Sequence, residues 1–294
     1  MLSVLIPTYN QSCLALVEEL SVEIDLLGIE AEIIVLDDAS TDAGVIRELE
    51  EVELVDHVRL IRHTENAGIS KVRYEMGQAA QYDNLIFLDA DTFPSTVDFL
   101  QKYISEIGSA DIVYGGLRYR QDGPHPINPL RYNYGNRYEI HSVAYREKHP
   151  YSTFKAISFY ANKKKLYNLI YDEAYGCSGP GDTLFASRMK ENGITIKHIY
   201  NPVFHDDNDT SEQFLSKVRA GVDDMCLHLD ELSEHSRLVR MFKRLDCFGM
   251  TKPMRFIYRR FEKRMVKNLL GDNPSMIVLD IYRLSYMACV MKLM

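Results

Sequence analysis

The stretch Ile33-Ile-Val-Leu-Asp-Asp-Ala-Ser-Thr-Asp42 decides the reading of the chain. Its first four residues are apolar and mostly β-branched, which predicts a buried strand. Two carboxylates end the run. Ser40 and Asp42 then stand as N-cap candidates for a helix through Leu49. The same order of strand, polar end and helix recurs on both sides. Upstream, Ser3–Ile6 reads as a short strand ended by Pro7. Leu14 to Leu27 has helical spacing (Leu16, Leu20, Ile24, Leu27), closed by Gly28. Downstream, Val58–Ile61 predicts a strand and Gly68–Gln81 a helix. Leu85–Leu88 is a further apolar run ending in Asp89-Ala-Asp91, and Ile112–Tyr114 another. Strands that alternate with helices and are apolar throughout imply an α/β fold: a Rossmann-like, mostly parallel sheet with helices on both faces. In such sheets ligands bind beyond the carboxyl ends of the strands. Pro7-Thr-Tyr9, Asp37-Asp38 and Asp89-Ala-Asp91 all fall at such ends.

Residues 121–153 are rich in Pro, Tyr, Asn and His with no clear period, so they read as a long loop. Ala156–Tyr160 predicts a strand, Thr183–Asn192 a helix closed by Gly193, and Ile194–Ile199 a strand. From about Ser211 the pattern is helical to the end, with breaks near 233–236, 249–253 and 271–274. The expected organisation is therefore an α/β domain over 1–207. A helical, partly basic C-terminal extension follows over 208–294.

The 294 residues are 46% hydrophobic and 26% charged, which excludes a disordered chain, a collagen-like repeat and a coiled-coil rod. The net charge of −8 is unevenly spread. Residues 237–267 hold eleven Lys/Arg against Asp246 and Glu262, a balance of +9, so the remainder carries −17. Five cysteines (13, 177, 226, 247, 289) form no metal or redox spacing, and read as free thiols in a reducing compartment. The N-terminal apolar run stops at Pro7 with no basic region before it, unlike a secretion leader. No stretch holds about 18 unbroken apolar residues. A cytoplasmic protein is expected.

Side chains alternate on an extended chain, so Asp89 and Asp91 would share one side. Two such carboxylates at a sheet mouth suit a hard divalent ion completed by substrate phosphates. The same tripeptide also reads as a polar strand end, with Asp91 capping a turn before Pro94. Asp37 and Asp38, being consecutive, face opposite ways. One can accept hydrogen bonds from a base or ribose while the other braces the loop. Asp182 follows a glycine-rich approach (Gly176, Gly179, Gly181) and heads a helix, whose N-terminal partial charge favours a carboxylate. His205 ends a strand, where an imidazole can ligate Mn²⁺.

Taken in order, residues 3–10, 34–42, Asn66-Ala-Gly68 with Arg73, 87–91 and 181–188 through Phe204-His205 are similar to the family 2 glycosyltransferases of GT-A fold. The resemblance covers roughly residues 1–207 and implies a nucleotide-binding part over 1–120 and an acceptor part over 121–207. It implies that Pro7, Thr8 and Tyr9 line a nucleotide pocket, that Asp37 or Asp38 binds the base (usually uracil), and that Arg73 supports the nucleotide side. It places Asp89 on the ribose or the metal, Asp91 on the Mn²⁺ or Mg²⁺ that bridges the diphosphate, and His205 as a further metal ligand. Asp182 would be the general base. The family often has Glu before this Asp, where this chain has Gly181. The implied reaction inverts the anomeric centre of a sugar carried by a nucleotide-sugar donor, a UDP-sugar above all. The acceptor would be a glycan or lipid-linked, in cell-surface polysaccharide assembly.

The basic stretch lies outside that resemblance. Arg259, Arg260, Lys263, Arg264 and Lys267 fall on one helix face, with Phe256, Ile257, Phe261 and Met265 nearby. Such a face either lies on an anionic membrane, peripherally, or pairs with the acidic body. Nucleic acid is not an expected partner, since the body is acidic and carries no binding motif. Two other functions compete with glycosyl transfer. A sugar-nucleotide pyrophosphorylase would show a Gly-rich, basic phosphate loop after the first strand, where this chain has Pro7-Thr-Tyr-Asn-Gln11. A non-catalytic nucleotide- or carbohydrate-binding protein would not need the set Asp89, Asp91, Asp182 and His205.

Overall fold

In a computed structural model, which describes residues 1–120, 128–170, 181–205 and 209–292, the apolar runs become a seven-stranded sheet. Its strands are β1 (Leu2–Thr8), β2 (Ala31–Asp37), β3 (Val58–Arg62), β4 (Asn84–Leu88), β6 (Ile112–Tyr114), β8 (Ser158–Asn162) and β9 (Ile196–His198), in the order β3-β2-β1-β4-β8-β6-β9. Pairing is parallel from β3 to β4 and again between β6 and β9; β8 alone runs against both its neighbours. A second sheet, β5-β10-β7, joins β5 (Thr92–Pro94), β7 (Leu117–Arg118) and β10 (Val203–His205). All seven residues of β1 are buried, as a strand covered on both faces requires. Each fully buried aliphatic side chain of this kind contributes about 1.5–3 kcal/mol. Phe87 of β4 stacks on Phe159 of β8 at 4.9 Å between ring centres.

The expected strand end at Pro7 is corrected: β1 runs on through Pro7 to Thr8. Proline breaks a central strand because it lacks an N–H. Here the pairing with β4 ends at Leu5, and Pro7 keeps its register with Leu36 on the other side.

The helices α1 (Leu14–Leu27), α2 (Ala43–Val52), α3 (Ile69–Ala79), α4 (Phe99–Ile104), α6 (Val143–Lys148) and α7 (Lys163–Ile170) flank the strands. Gly28 closes α1 in the left-handed conformation, φ 58°. Asp42 caps α2 by accepting from the Gly44 and Val45 N–H groups. Ser40 does not cap it; its hydroxyl accepts from the Asn10 N–H instead. Together these elements form one unit over Met1–Arg118, His141–Cys177 and Arg188–Asp206. Within it, Gly115 tolerates no side chain, because a Cβ there would lie 2.1 Å from the Asn201 carbonyl oxygen.

A second unit comprises Tyr119–Ile140, Ser178–Ser187 and Asp207–Met294. It holds α5 (Pro129–Tyr138), the first turns of α8 (Gly181–Glu191), and then α9 (Ser211–Leu227), α10 (Arg237–Cys247), α11 (Thr251–Leu269) and α12 (Met276–Val290). The C-terminal extension is thus helical, with its breaks where the sequence places them. Its core gathers Leu130, Phe214, Leu215, Tyr258, Met265, Leu269, Leu279 and Tyr282.

The reading of 121–153 as one long loop is also corrected: α5 and α6 lie within it. Pro129 starts α5, with the Asn128 side chain accepting from the Arg131 N–H, and Ser142 caps α6 through the Tyr145 N–H. Residues 121–127 lie outside the described residues. Cys13, Cys226, Cys247 and Cys289 are free thiols among the described residues. No helix among the described residues is long and apolar enough to cross a membrane.

Candidate active site

The carboxyl ends of β1 and β2 build one wall of a cavity of about 280 Å³. Pro7, Thr8, Tyr9 and Asp38 line it from that side, and Asn66, Gly68, Ile69 and Val72 from the start of α3. The adjacent strand ends are locked together. The Asp38 N–H donates to the Thr8 carbonyl at 2.9 Å, and the Asn10 side-chain oxygen accepts from the Thr41 and Asp42 N–H groups at 2.7 and 2.9 Å. Asn10 and Ala39 both adopt positive φ, 51° and 65°. Non-glycine residues in that conformation store strain and cluster where a loop must be aimed.

Asp37 and Asp38 divide the work as opposite-facing neighbours must. Asp37 is buried and its carboxylate accepts from the Ser40 N–H at 2.9 Å, which braces the loop. Asp38 faces the cavity. Its carboxylate accepts from the Ala67 N–H at 2.8 Å and the Gly68 N–H at 2.9 Å. The Asn66 side chain donates to the Asp38 carbonyl at 3.2 Å. Asp38 therefore fixes the head of α3 against the end of β2. Glycine suits position 68 because φ there is 83°.

His63 joins the site without a local sequence signal. Its Nδ1 lies 2.8 Å from the Asp38 carboxylate and its Nε2 2.7 Å from the Glu75 carboxylate. Ile69 and Val72 were also unassigned; their spacing of three residues in the first turn of α3 was the available signal.

Asp89-Ala-Asp91 is not the extended tripeptide expected. Both the Thr92 N–H (3.1 Å) and its hydroxyl (2.6 Å) donate to the Asp89 carbonyl, so the chain turns between β4 and β5. Strand alternation does not apply across a turn. The two carboxylates accordingly meet different partners. The Arg73 guanidinium donates to Asp89 at 2.6 Å and to the Ala156 carbonyl at 2.7 Å. Asp91 meets His205, whose Nε2 is 3.1 Å from its Oδ2. That meeting follows from the small sheet, in which β10 pairs antiparallel to β5 with His205 opposite Thr92.

One carboxylate oxygen and one imidazole nitrogen fit a Mn²⁺- or Mg²⁺-type ion that takes its remaining ligands from water and substrate phosphates. Among the described residues, no group of three or more His, Cys, Asp or Glu converges as a complete cage. Asp182 lies in the first turn of α8 and is partly exposed. A Cβ at Gly181 would meet nothing within 4 Å, so protein packing does not demand glycine there. Residues 171–180, which hold Gly176 and Gly179 of the glycine-rich approach, lie outside the described residues.

No curated protein sequence matches the chain. Solved structures match its fold. TarS 1–349 of S. aureus, in complex with UDP-GlcNAc, has 15% identity over 99% of this chain and 90% of its own, at TM-score 0.52. Glucosyl-3-phosphoglycerate synthase of Mycobacterium tuberculosis, with Mn²⁺, UDP and glucosyl-3-phosphoglycerate, has 17% identity over 80% of each chain, TM-score 0.52. The mannosyltransferase PcManGT of Pyrobaculum calidifontis, with GDP-Man and Mn²⁺, has 14% identity over 99% of this chain and 86% of its own, TM-score 0.58. The model of the family described as glycosyl transferase family 2 matches residues 3–166. That match spans more than half of the 294 residues, and the cavity and the Asp91–His205 pair lie at the strand ends where the fold binds ligands; the chain belongs to glycosyl transferase family 2 and is a glycosyltransferase.

Proposed function

We propose that this enzyme is an inverting, divalent-cation-dependent glycosyltransferase that uses a UDP-sugar and delivers the sugar to a glycan or lipid-linked acceptor in cell-surface polysaccharide assembly. Residues 1–207 form its transferase domain and 208–294 its helical extension, and it works in the cytoplasm. The observation that carries the reading is the Asp91–His205 pair on the same unit as the β1/β2 cavity. The structures of similar fold that hold UDP or UDP-GlcNAc, two of them with Mn²⁺ or Mg²⁺, support the donor class and the ion.

Pro7, Thr8 and Tyr9 hold the nucleoside, and Asp38 presents an acceptor oxygen to the N–H edge of its base. Asp37 keeps the loop in place for that contact. Arg73 orients Asp89 toward the ribose side. Asp91 and His205 would hold the cation. A bound divalent ion supplies Lewis-acid stabilisation of the charge that grows on the departing diphosphate. Asp182 accepts the proton of the acceptor hydroxyl as it attacks in line opposite the leaving group, which inverts the anomeric centre.

Thermal unfolding with UDP, with and without Mn²⁺, tests this. At about 100 times its Kd, UDP stabilises the native state by about 2.7 kcal/mol. The shift is expected to need Mn²⁺ in the wild type and to be lost in Asp91→Ala. Asp182→Asn is expected to keep the UDP shift while turnover drops by about 10²–10⁴-fold. A wild type that UDP fails to stabilise with Mn²⁺ present, beside a positive response to GDP, CDP or dTDP, would overturn the choice of donor.

A further inference from the structure

The α10–α11 corner stands apart from the catalytic reading. Cys247 ends α10 and Thr251 begins α11, so only Phe248, Gly249 and Met250 join them. The corner is closed by backbone hydrogen bonds: Gly249 N–H to the Asp246 carbonyl and Met250 N–H to the Leu245 carbonyl, both at 2.8 Å. Gly249 takes φ 69° to make the turn. A fixed backbone therefore holds Phe248 outward, 81% exposed, with Phe256 of α11 66% exposed. Met241, Met250 and Phe261 of the same segment are exposed as well, and exposed apolar residues that gather together mark an interaction surface.

The charge around them is mainly positive, with Asp246 the one exposed acid between 237 and 267. On α10, Arg237, Arg240 and Arg244 are exposed; on α11, Lys252, Arg259, Arg260, Lys263, Arg264 and Lys267 are. Within their own unit these cations fall into two groups. Lys243 pairs with Asp230 at 2.8 Å, and Arg240 donates to the Glu234 carbonyl. Arg259, Arg260, Lys263, Arg264 and Lys267 form no ion pair within this unit among the described residues. Of the apolar residues expected beside them, Met265 is in the helical core, while Phe256 and Phe261 face out.

We propose that the α10–α11 corner docks the enzyme peripherally on an anionic lipid bilayer, with Phe248 and Phe256 entering the boundary between headgroups and acyl chains and the basic residues of both helices facing lipid phosphates. Anionic leaflets attract clustered Lys/Arg, and exposed aromatics anchor at the interface. Charge complementarity selects this occupant. An acidic protein face without an apolar patch would satisfy the cations and leave the two phenylalanines in water.

Co-sedimentation of the full chain with vesicles tests it. The wild type is expected to pellet with vesicles of phosphatidylglycerol and phosphatidylcholine, to stay in solution with phosphatidylcholine alone, and to be released by high salt. Arg259→Glu with Lys263→Glu is expected to weaken binding about tenfold or more. Phe248→Ala is expected to weaken it about tenfold at unchanged salt dependence. UDP-induced stabilisation is measured on every variant, so a lost fold, a lost donor site and a lost membrane surface give three separate patterns. The proposal is overturned if the wild type ignores anionic vesicles, if the charge reversals bind as well as it does, or if it forms instead a salt-labile dimer that Phe248→Ala abolishes.

Discussion

Two charged regions of this enzyme treat their charges in opposite ways. At the ends of β1 and β2, Asp37 and Asp38 are buried, and backbone N–H groups of the same chain hold both carboxylates. On α11, Arg259, Arg260, Lys263, Arg264 and Lys267 stand in solvent. A buried charge must be matched by the protein itself, because desolvation is otherwise prohibitive. An exposed charge is matched by water and is worth little to the fold. The first arrangement makes shape; the second leaves its charge in solvent.

The largest expected effect breaks the comparison from the buried side. Asp38→Ala removes the acceptor for Ala67 and Gly68 and the partner of His63 at once. Breaking a buried, charge-assisted network of this kind costs roughly 3–5 kcal/mol. Urea unfolding should show that loss, together with a lost UDP response. A change below about 1 kcal/mol would mean that water satisfies those N–H groups as well as the carboxylate does.

Next comes a second buried charge. Arg146, 3% exposed, donates to the carbonyls of Tyr114, Gly115 and Ile199 at 3.1, 3.2 and 2.8 Å. His198 lies beside it, with Nε2 3.1 Å from the Pro150 carbonyl and Nδ1 3.5 Å from the guanidinium. Nε2 therefore donates and Nδ1 stays bare, the neutral tautomer. Burial, and then the neighbouring Arg146 charge, hold the imidazole down at about 4. The unfolded chain, with an ordinary value near 6.5, takes up the proton first. The resulting stability is whole above about pH 6.5 and drains away as the pH falls toward 4, by roughly 3 kcal/mol. His198→Gln, whose amide can still donate and accept, should flatten that window in denaturation at stepped pH. Equal losses in variant and wild type would show that His198 does not carry it.

Much of this was legible in sequence because it is local. Apolar runs mark β1, β2 and β4, and Asp42 and Gly28 mark helix ends by the chemistry of the single residue. What was hidden depends on distant partners. His63 matters through Glu75 and Asp38, 12 and 25 residues away, which no local period reports. The α5 helix carries one aliphatic residue, Leu130; its inner face is completed by Tyr134, Tyr138 and an Arg131 guanidinium over the Tyr119, Tyr134 and Phe214 rings. A pattern built on aliphatic spacing does not see a face made of rings and an arginine. The turn at Asp89 defeats strand alternation for a similar reason, since Thr92 rather than any apolar rhythm creates it.

The smallest expected effect sharpens the comparison from the exposed side. Lys263→Ala removes a cation that has no ion-pair partner within its unit among the described residues and sits on an exposed helix face. Alanine is the better helix former by a few tenths of a kcal/mol, and the self-repulsion of the basic face falls with the charge. Stability by urea unfolding should stay within about 0.5 kcal/mol of the wild type, even as retention on anionic vesicles declines. A loss above about 1 kcal/mol would mean that the protein itself partners this lysine. The exposed face would then obey the same rule as Asp38, and the contrast between the two regions would vanish.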